Sequence, residues 1–180
     1  KIRSQLDVKR KNGQFIGSFA GYGYQKDPEN KNHLIIDEYA ADIVRYIFNL
    51  KMDGYSSQRI AEKLNEIGVL PPMEYKRSCG MNYNSGFRSV AKPKWAVTTV
   101  NRILTNELYT GTMVQGKNRK INYKVKECRP VAEENWIRVE KTHEAIIAEE
   151  VFQYVQSLME LDTRTAPEEE SVYIFSGFLR

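Results

Sequence analysis

No apolar run in these 180 residues approaches the length of a membrane helix, and no charged leader precedes an apolar core at the start. A spanning helix needs about 20 consecutive apolar residues, so the sequence predicts a chain with no membrane partner and a cytoplasmic setting. Cysteine is scarce. Cys79 and Cys128 stand far apart in polar segments, with neither a CxxC pair nor a nearby histidine to complete a tetrahedral zinc site. Two free thiols and no cofactor in this chain are the expectation. Histidine is scarcer in chemical context than in number: His33 lies near Asp27, Asp37 and Glu38, and His143 adjoins Glu144, but neither has a matched nucleophile. Both read as structural or surface residues. Glycine-rich phosphate loops, HExxH and paired-carboxylate motifs are also absent. The sequence therefore offers no catalytic residue.

Charge is present, and it is unevenly spread. The net charge is only +4. Residues 1–26 carry six Lys/Arg against one acid, and residues 27–72 five against eight. The contrast is sharper beyond: residues 73–130 have twelve against three, and residues 131–180 four against eleven. A basic middle beside an acidic tail is the footprint of a chain with one face turned to a polyanion and another turned away. Two unrelated solvated segments would give the same tally, so the residues between the charges have to decide.

At 180 residues the chain can bury one sizeable core, and it shows no internal repeat. Residues 1–12, "KIRSQLDVKRKN", are basic and weakly helical, as a tether or the end of an upstream helix would be. The next stretch, with Phe15, Ile16, Phe19, Tyr22 and Tyr24 before "KDPENKN" and "HLIID", resembles a hairpin. Gly21 and Gly23 around Tyr22 suggest backbone held against another surface or at positive φ. Residues 37–53 place Ala40, Ala41, Ile43, Val44, Ile47, Phe48 and Leu50 at helical spacing, with Asp37 as cap and Gly54 as stop. A second helix follows, capped by Ser56 or Ser57. Its apolar face takes Ile60, Ala61, Leu64 and Ile67, and Gly68, Pro71 and Pro72 end it. Residues 73–94 have no apolar period and read as a long exposed loop, a length that is uncommon without a function.

The segment "WAVTTVNRILTN", residues 95–106, reads as a short helix with a capping Thr. Val97, Val100, Ile103 and Leu104 form its apolar stripe, which leaves Thr99, Asn101, Arg102 and Asn106 pointing outward. Next, "LYTGTMVQGKNRKINYKVKECRP" alternates like a strand, turns through "GKNRK" and resumes as a second basic strand. "NWIRVEKTH" is a further strand in which Trp136, Val139 and Ile137 supply apolar area. A helix from Thr142 or Glu144 to Leu161 carries Ile146, Val151, Phe152, Val155, Leu158 and Met159. A polar linker, "DTRTAPEEE", and an apolar β-like "SVYIFSGFLR" complete the chain.

Placed side by side, "SSQRIAEKLNEIG" and "WAVTTVNRILTN" have the pattern of a helix-turn-helix whose turn is replaced by the long basic loop. The second helix would lead with its N-terminal turn, where dipole and unpaired amides suit a phosphate. Thr98, Thr99, Asn101 and Arg102 are then the residues placed to meet base edges, since Asn can bridge adenine and Arg guanine. A basic wing would follow, with Lys117, Arg119, Lys120, Lys124 and Lys126 for phosphates. In the loop, Arg77, Arg88, Lys92 and Lys94 sit among Tyr75, Tyr83 and Phe87 and add to the DNA-binding set.

Together, "GSFAGYGYQKD", "HLIIDEYAADIVRYIFNLKMDGYSSQRIAEKLNEIGVLPP", "WAVTTVNRILTNELYTGTMVQGK" and "HEAIIAEEVFQYVQ" resemble the recombinase domain of large serine recombinases, the integrases and transposases of phages and conjugative elements. The resemblance runs from about Gly17 to Leu161. It implies a DNA-binding domain that seats the enzyme on attachment or transposon-end DNA, preceded in the parent by a resolvase-like catalytic domain with the serine nucleophile. A zinc ribbon would follow, so zinc is expected there and strand cleavage is not expected of this chain. It also implies a backbone or minor-groove role for Arg10, Lys11 and Gln14 in the linker leaving the catalytic domain.

The resulting expectation is an α+β chain with a helical core, an elaborated helix-turn-helix and small β-hairpin wings. Residues 1–14 would be linker, 15–162 the DNA-binding domain, and 163–180 a linker and the start of a truncated ribbon. Double-stranded DNA is the expected partner, in a bacterial or phage-encoded setting. Self-association would belong to the full-length enzyme, with this chain monomeric. Two other readings fit the residues: a winged-helix transcription regulator, and a protein-interaction module built on the acidic tail.

Overall fold

The computed structural model describes residues 2–81, 93–120 and 127–160. Six α-helices and six short strands lie in these residues, with two 3-10 turns. The expected α+β architecture is present, a helical core with antiparallel two-stranded sheets at its margin.

Helix α1 (Ile2–Lys11) leads into an irregular stretch, and β1 (Tyr24–Lys26) then pairs with β2 (Leu34–Ile36) as the expected hairpin. The two glycines before it allow close packing. A Cβ on Gly21 would stand 2.6 Å from the Leu108 side chain, and Gly23 adopts φ +92°. That conformation penalises any residue with a Cβ.

Helix α2 (Glu38–Met52) is the centre of the core, packing on the helices Ser57–Glu66, Val97–Leu104 and Glu149–Glu160. Asp37 caps it by accepting from the Ala40 N–H at 3.3 Å. Ala40, Ala41, Val44, Ile47, Phe48 and Leu50 are buried along it, and truncating a ring such as Phe48 in a core of this kind costs about 3–5 kcal/mol. Helix α3 (Ser57–Glu66) is capped by Ser56, whose hydroxyl accepts from the Arg59 N–H at 3.2 Å. It buries Ile60, Ala61 and Leu64. Ile67 does not join that face: the helix ends at Glu66, and Ile67 is 59 % exposed at the C-cap.

Residues 72–78 correct the expected loop. They form helix α4 (Pro72–Ser78). Pro72, read as a terminator, instead opens this helix, because a proline at the first helical position gives up an N–H that has no partner there anyway. Tyr75 anchors α4 to the core, its hydroxyl donating to the Asp37 carboxylate at 3.0 Å.

Helix α5 (Val97–Leu104) packs against α3 and buries Val100, Ile103 and Leu104. A 3-10 turn, Glu107–Thr110, follows and is capped by Asn106, which accepts from the Leu108 N–H at 3.2 Å. The last helix, α6 (Glu149–Glu160), is shorter than expected at its start. The N–H groups of Ile146 and Ile147 both donate to the Tyr109 carbonyl, at 2.9 and 3.0 Å, so residues 142–148 dock as bent, non-helical backbone. Within that stretch His143 is buried. Its Nε2 donates to the Leu108 carbonyl at 2.8 Å, and the Thr142 hydroxyl donates to its Nδ1 at 2.7 Å. The role is structural, as the sequence suggested.

The wing differs from the simple hairpin expected. Strand β3 (Met113–Gln115) pairs with β6 (Ile137–Val139), in the register Met113↔Val139. Strand β4 (Asn118–Lys120) pairs with β5 (Cys128–Pro130), in the register Asn118↔Pro130. "GKNRK" is therefore not the turn, since its last three residues are a strand. Gly116 at φ +83° supplies the bend between β3 and β4.

Candidate nucleic-acid interface

The link between α3 and α5 determines how α5 is presented. The Asn65 side chain, at the end of α3, accepts from the Trp95 backbone N–H at 2.8 Å and donates to the Trp95 carbonyl at 3.1 Å. The Trp95 indole donates to the Val69 carbonyl at 2.9 Å, and its ring is buried. Whatever path residues 82–92 take, the entrance to α5 is fixed against the exit of α3.

The entrance carries no side-chain cap. The N-cap position is Ala96, which has no acceptor, so the capping Thr expected from the sequence is not there. The first-turn amides of α5 are therefore left without a side-chain acceptor of their own. Val97 is 40 % exposed, although its spacing had placed it in the apolar stripe. As the first residue of the helix it projects past the packed turn instead of into it. Thr98 and Arg102 are exposed, as expected. Thr99 and Asn101 are half-buried, and the Asn101 Oδ1 is buried with no hydrogen-bond partner among the described residues. Asn106 is occupied by its capping bond and is not an outward residue.

In the wing, Lys117 and Arg119 are exposed, and Lys94 is exposed ahead of α5. The register sets Arg119 directly opposite Arg129, a residue that the sequence reading did not select. Directly opposed residues share a face of the pair, and like charges in that position are destabilising. Arg129 has a weak ion pair with Glu127 at 3.4 Å, and Arg119 has no carboxylate partner among the described residues. At the base of the wing, the Trp136 ring lies under the Lys117 ammonium, 4.6 Å from its centroid, and 5.3 Å from the Arg138 guanidinium. Arg138 is itself bound to Glu107 and Glu133.

The remaining candidates divide. Arg10 pairs with Asp7 at 2.6 Å, and its buried Nε has no partner among the described residues. Lys11 is exposed. Gln14 is held through its backbone: its carbonyl accepts from the Gln115 amide at 2.8 Å, which ties residue 14 to β3. Arg77 is half-buried and bonded to Glu74 at 2.6 Å, within α4. Arg88, Lys92, Lys124 and the Lys120 side chain lie outside the described residues, as does Lys126. Among the described residues no group of three or more His, Cys, Asp or Glu could hold a metal, and no helix is long and apolar enough to cross a membrane. Cys79 and Cys128 are free and exposed.

Known proteins resemble this chain in sequence and in fold. The chain is 37 % identical over 87 residues to the uncharacterized protein YefB of Bacillus subtilis (strain 168), a stretch that covers 48 % of this chain and 29 % of that protein. A solved structure described as "Crystal Structure of a LSR-DNA Complex" has a TM-score of 0.58 at 18 % identity, covering 98 % of this chain and 44 % of the other. A second, from "Sequence Requirements of the Listeria innocua prophage attP site", has a TM-score of 0.50 at 21 % identity, covering 88 % and 51 %. At those identities the two structures establish a shared fold, and the chain spans about half the length of each. A family model described as Recombinase matches residues 38–162, from the first turn of α2 to just past α6. The chain belongs to the Recombinase family.

Proposed function

We propose that this chain is the duplex-DNA-binding part of a serine site-specific recombinase and positions that enzyme on its target for strand exchange. The observation that carries the proposal is Arg119 opposite Arg129 on an exposed hairpin. Two like charges there oppose folding, and an anion between them removes the penalty. A phosphate of a DNA backbone supplies such an anion, with an affinity that depends on salt and carries little sequence information.

Base reading falls to α5. Its uncapped start, with Val97 and Thr98 exposed and Arg102 one turn on, suits a helix that enters the major groove N-terminus first. Arg102 would bridge a guanine, and Val97 would meet a thymine methyl. Thr99 and Asn101 line the edge of that face. Lys94, Lys117 and Lys120 add backbone contacts, as do Arg77, Arg88, Lys92 and Lys124. Arg10, Lys11 and Gln14 would follow the DNA as the linker from a catalytic domain. On this reading residues 1–14 are linker, 15–162 the DNA-binding domain and 163–180 the approach to a zinc ribbon. Cleavage and self-association would belong to the parent enzyme, with this chain a monomer.

The test is selection from a randomised duplex pool, followed by anisotropy titration of the enriched duplex across a salt series. Enrichment of one sequence, with an affinity that falls steeply with salt, is expected. Binding no tighter to the enriched duplex than to the starting pool at low salt would overturn sequence-specific recognition.

A further inference from the structure

Arg138 has the position of a DNA contact and the bonding of a brace. It lies on β6, at the root of the basic wing, and its side chain is a third exposed. Its charge is already committed. The guanidinium binds Glu107 in a bidentate fork, Nε to Oε2 at 3.1 Å and Nη2 to Oε1 at 3.2 Å. Nη2 also donates to the Glu133 carboxylate at 2.5 Å, and Nη1 to the Glu133 carbonyl at 3.2 Å. A planar five-donor group satisfied on two carboxylates and a carbonyl has little left for phosphate, and the paired geometry is one that lysine cannot reproduce.

The two carboxylates belong to different parts of the fold. Glu107 opens the 3-10 turn that leaves α5, two residues past the Thr105 cap. Glu133 opens a second 3-10 turn, Glu133–Asn135, inside the break of the ribbon between β5 and β6. Two residues, 116–117, connect β3 to β4, whereas six, 131–136, return from β5 to β6. In the longer return the Trp136 indole donates to the Val131 carbonyl at 2.8 Å, and its ring lies near both Lys117 and Arg138. The joint at which the wing leaves the core is therefore tied to the exit of α5 by one guanidinium.

We infer that Arg138 is a positioning residue, which through Glu107 sets the wing at a fixed angle to the base-reading helix. The inference rests on the DNA-binding function proposed above. It makes a prediction opposite in sign to simple electrostatics. Glu107→Gln removes a negative charge near DNA and frees an arginine, so electrostatics alone gives tighter binding. A released brace gives weaker binding.

The experiment uses the duplex enriched by the wild-type chain, with Glu107→Gln, Arg138→Gln and the double variant. Each single variant should weaken binding by about threefold to tenfold, and the double variant should be no worse than Arg138→Gln alone, as coupled partners require. Hydroxyl-radical footprints should shorten on the wing side of the site and persist over the α5 half. Circular dichroism melts report folding separately, and an exposed ion pair of this kind should move them little. Tighter or unchanged binding by Glu107→Gln, or a double variant whose losses simply add, overturns the positioning role. Failure of the wild-type chain to enrich any duplex overturns the DNA-binding function instead.

Discussion

Asn65 grips the backbone of Trp95 from both sides, accepting from its N–H and donating to its carbonyl. One side-chain amide thus does for α3 and α5 what a short turn does in a simple helix-turn-helix. Asn65→Ala leaves both backbone groups half-buried without these partners, and the expected cost is about 1–3 kcal/mol by urea unfolding. DNA affinity should fall further than stability explains, because the entrance of α5 is released. A variant that unfolds at the wild-type urea midpoint would remove the lock.

The proposed recognition by α5 separates into two measurable parts. Arg102→Ala should cost about 1–3 kcal/mol on the enriched duplex and relax preference at one base pair. Val97→Ala deletes two methylene equivalents, and if one of them packs on the thymine methyl the cost should be about 0.8 kcal/mol. Replacing thymine by uracil in the duplex should weaken the wild type and leave Val97→Ala unaffected. Equal sensitivity of both proteins to uracil would remove Val97 from the contact.

The opposed arginines predict a trade. Arg129→Thr should raise the stability of the free chain by about 0.2–1 kcal/mol, because it relieves like charges across β4 and β5. It should also reduce the slope of log affinity against log salt by about one contact's share, near 0.9 for duplex DNA. Thermal melts and salt titrations on the same preparation test both signs. A loss in stability with no change in slope would make the pair structural.

His143 predicts the response to acid. Burial holds its imidazole below the ordinary histidine value, with the Leu108 carbonyl opposing that shift and His33 adding to it. The folded state therefore binds the proton less readily than the unfolded state, whose histidine titrates near 6.5. Stability should be level above that pH and should decline as pH falls below it, until the folded form is protonated as well. Melting temperatures measured between neutral and mildly acidic pH should show the decline, and His143→Asn should flatten it. An unchanged slope in the variant would assign the acid response elsewhere.

Much of the helical core was legible in the sequence, because α2 and α3 carry both a 3.6-residue apolar period and a capping residue at the right offset. Asp37 and Ser56 cap as their positions suggest. The misses have specific causes. Pro72 marks a helix start as readily as a stop, which hid α4. Ile146 keeps the apolar spacing of α6 but spends its N–H on Tyr109, so periodicity extended the helix too far back. Val97 has the spacing of a buried residue and the position of an exposed one. The register of the wing was the least legible, because an exposed basic strand has no buried face to fix its pairing. Arg129 and the Glu107–Arg138 fork both depend on that register, and neither could be found without it.

Strands β3 and β6 close on each other before the chain enters β4 and after it leaves β5. The β4–β5 pair is therefore an insert on the β3–β6 pair, which has its own register beneath it. Such an arrangement makes the proposed backbone affinity graftable: exchanging residues 118–130 between relatives should transplant salt dependence while leaving α5 and its base preference where they were.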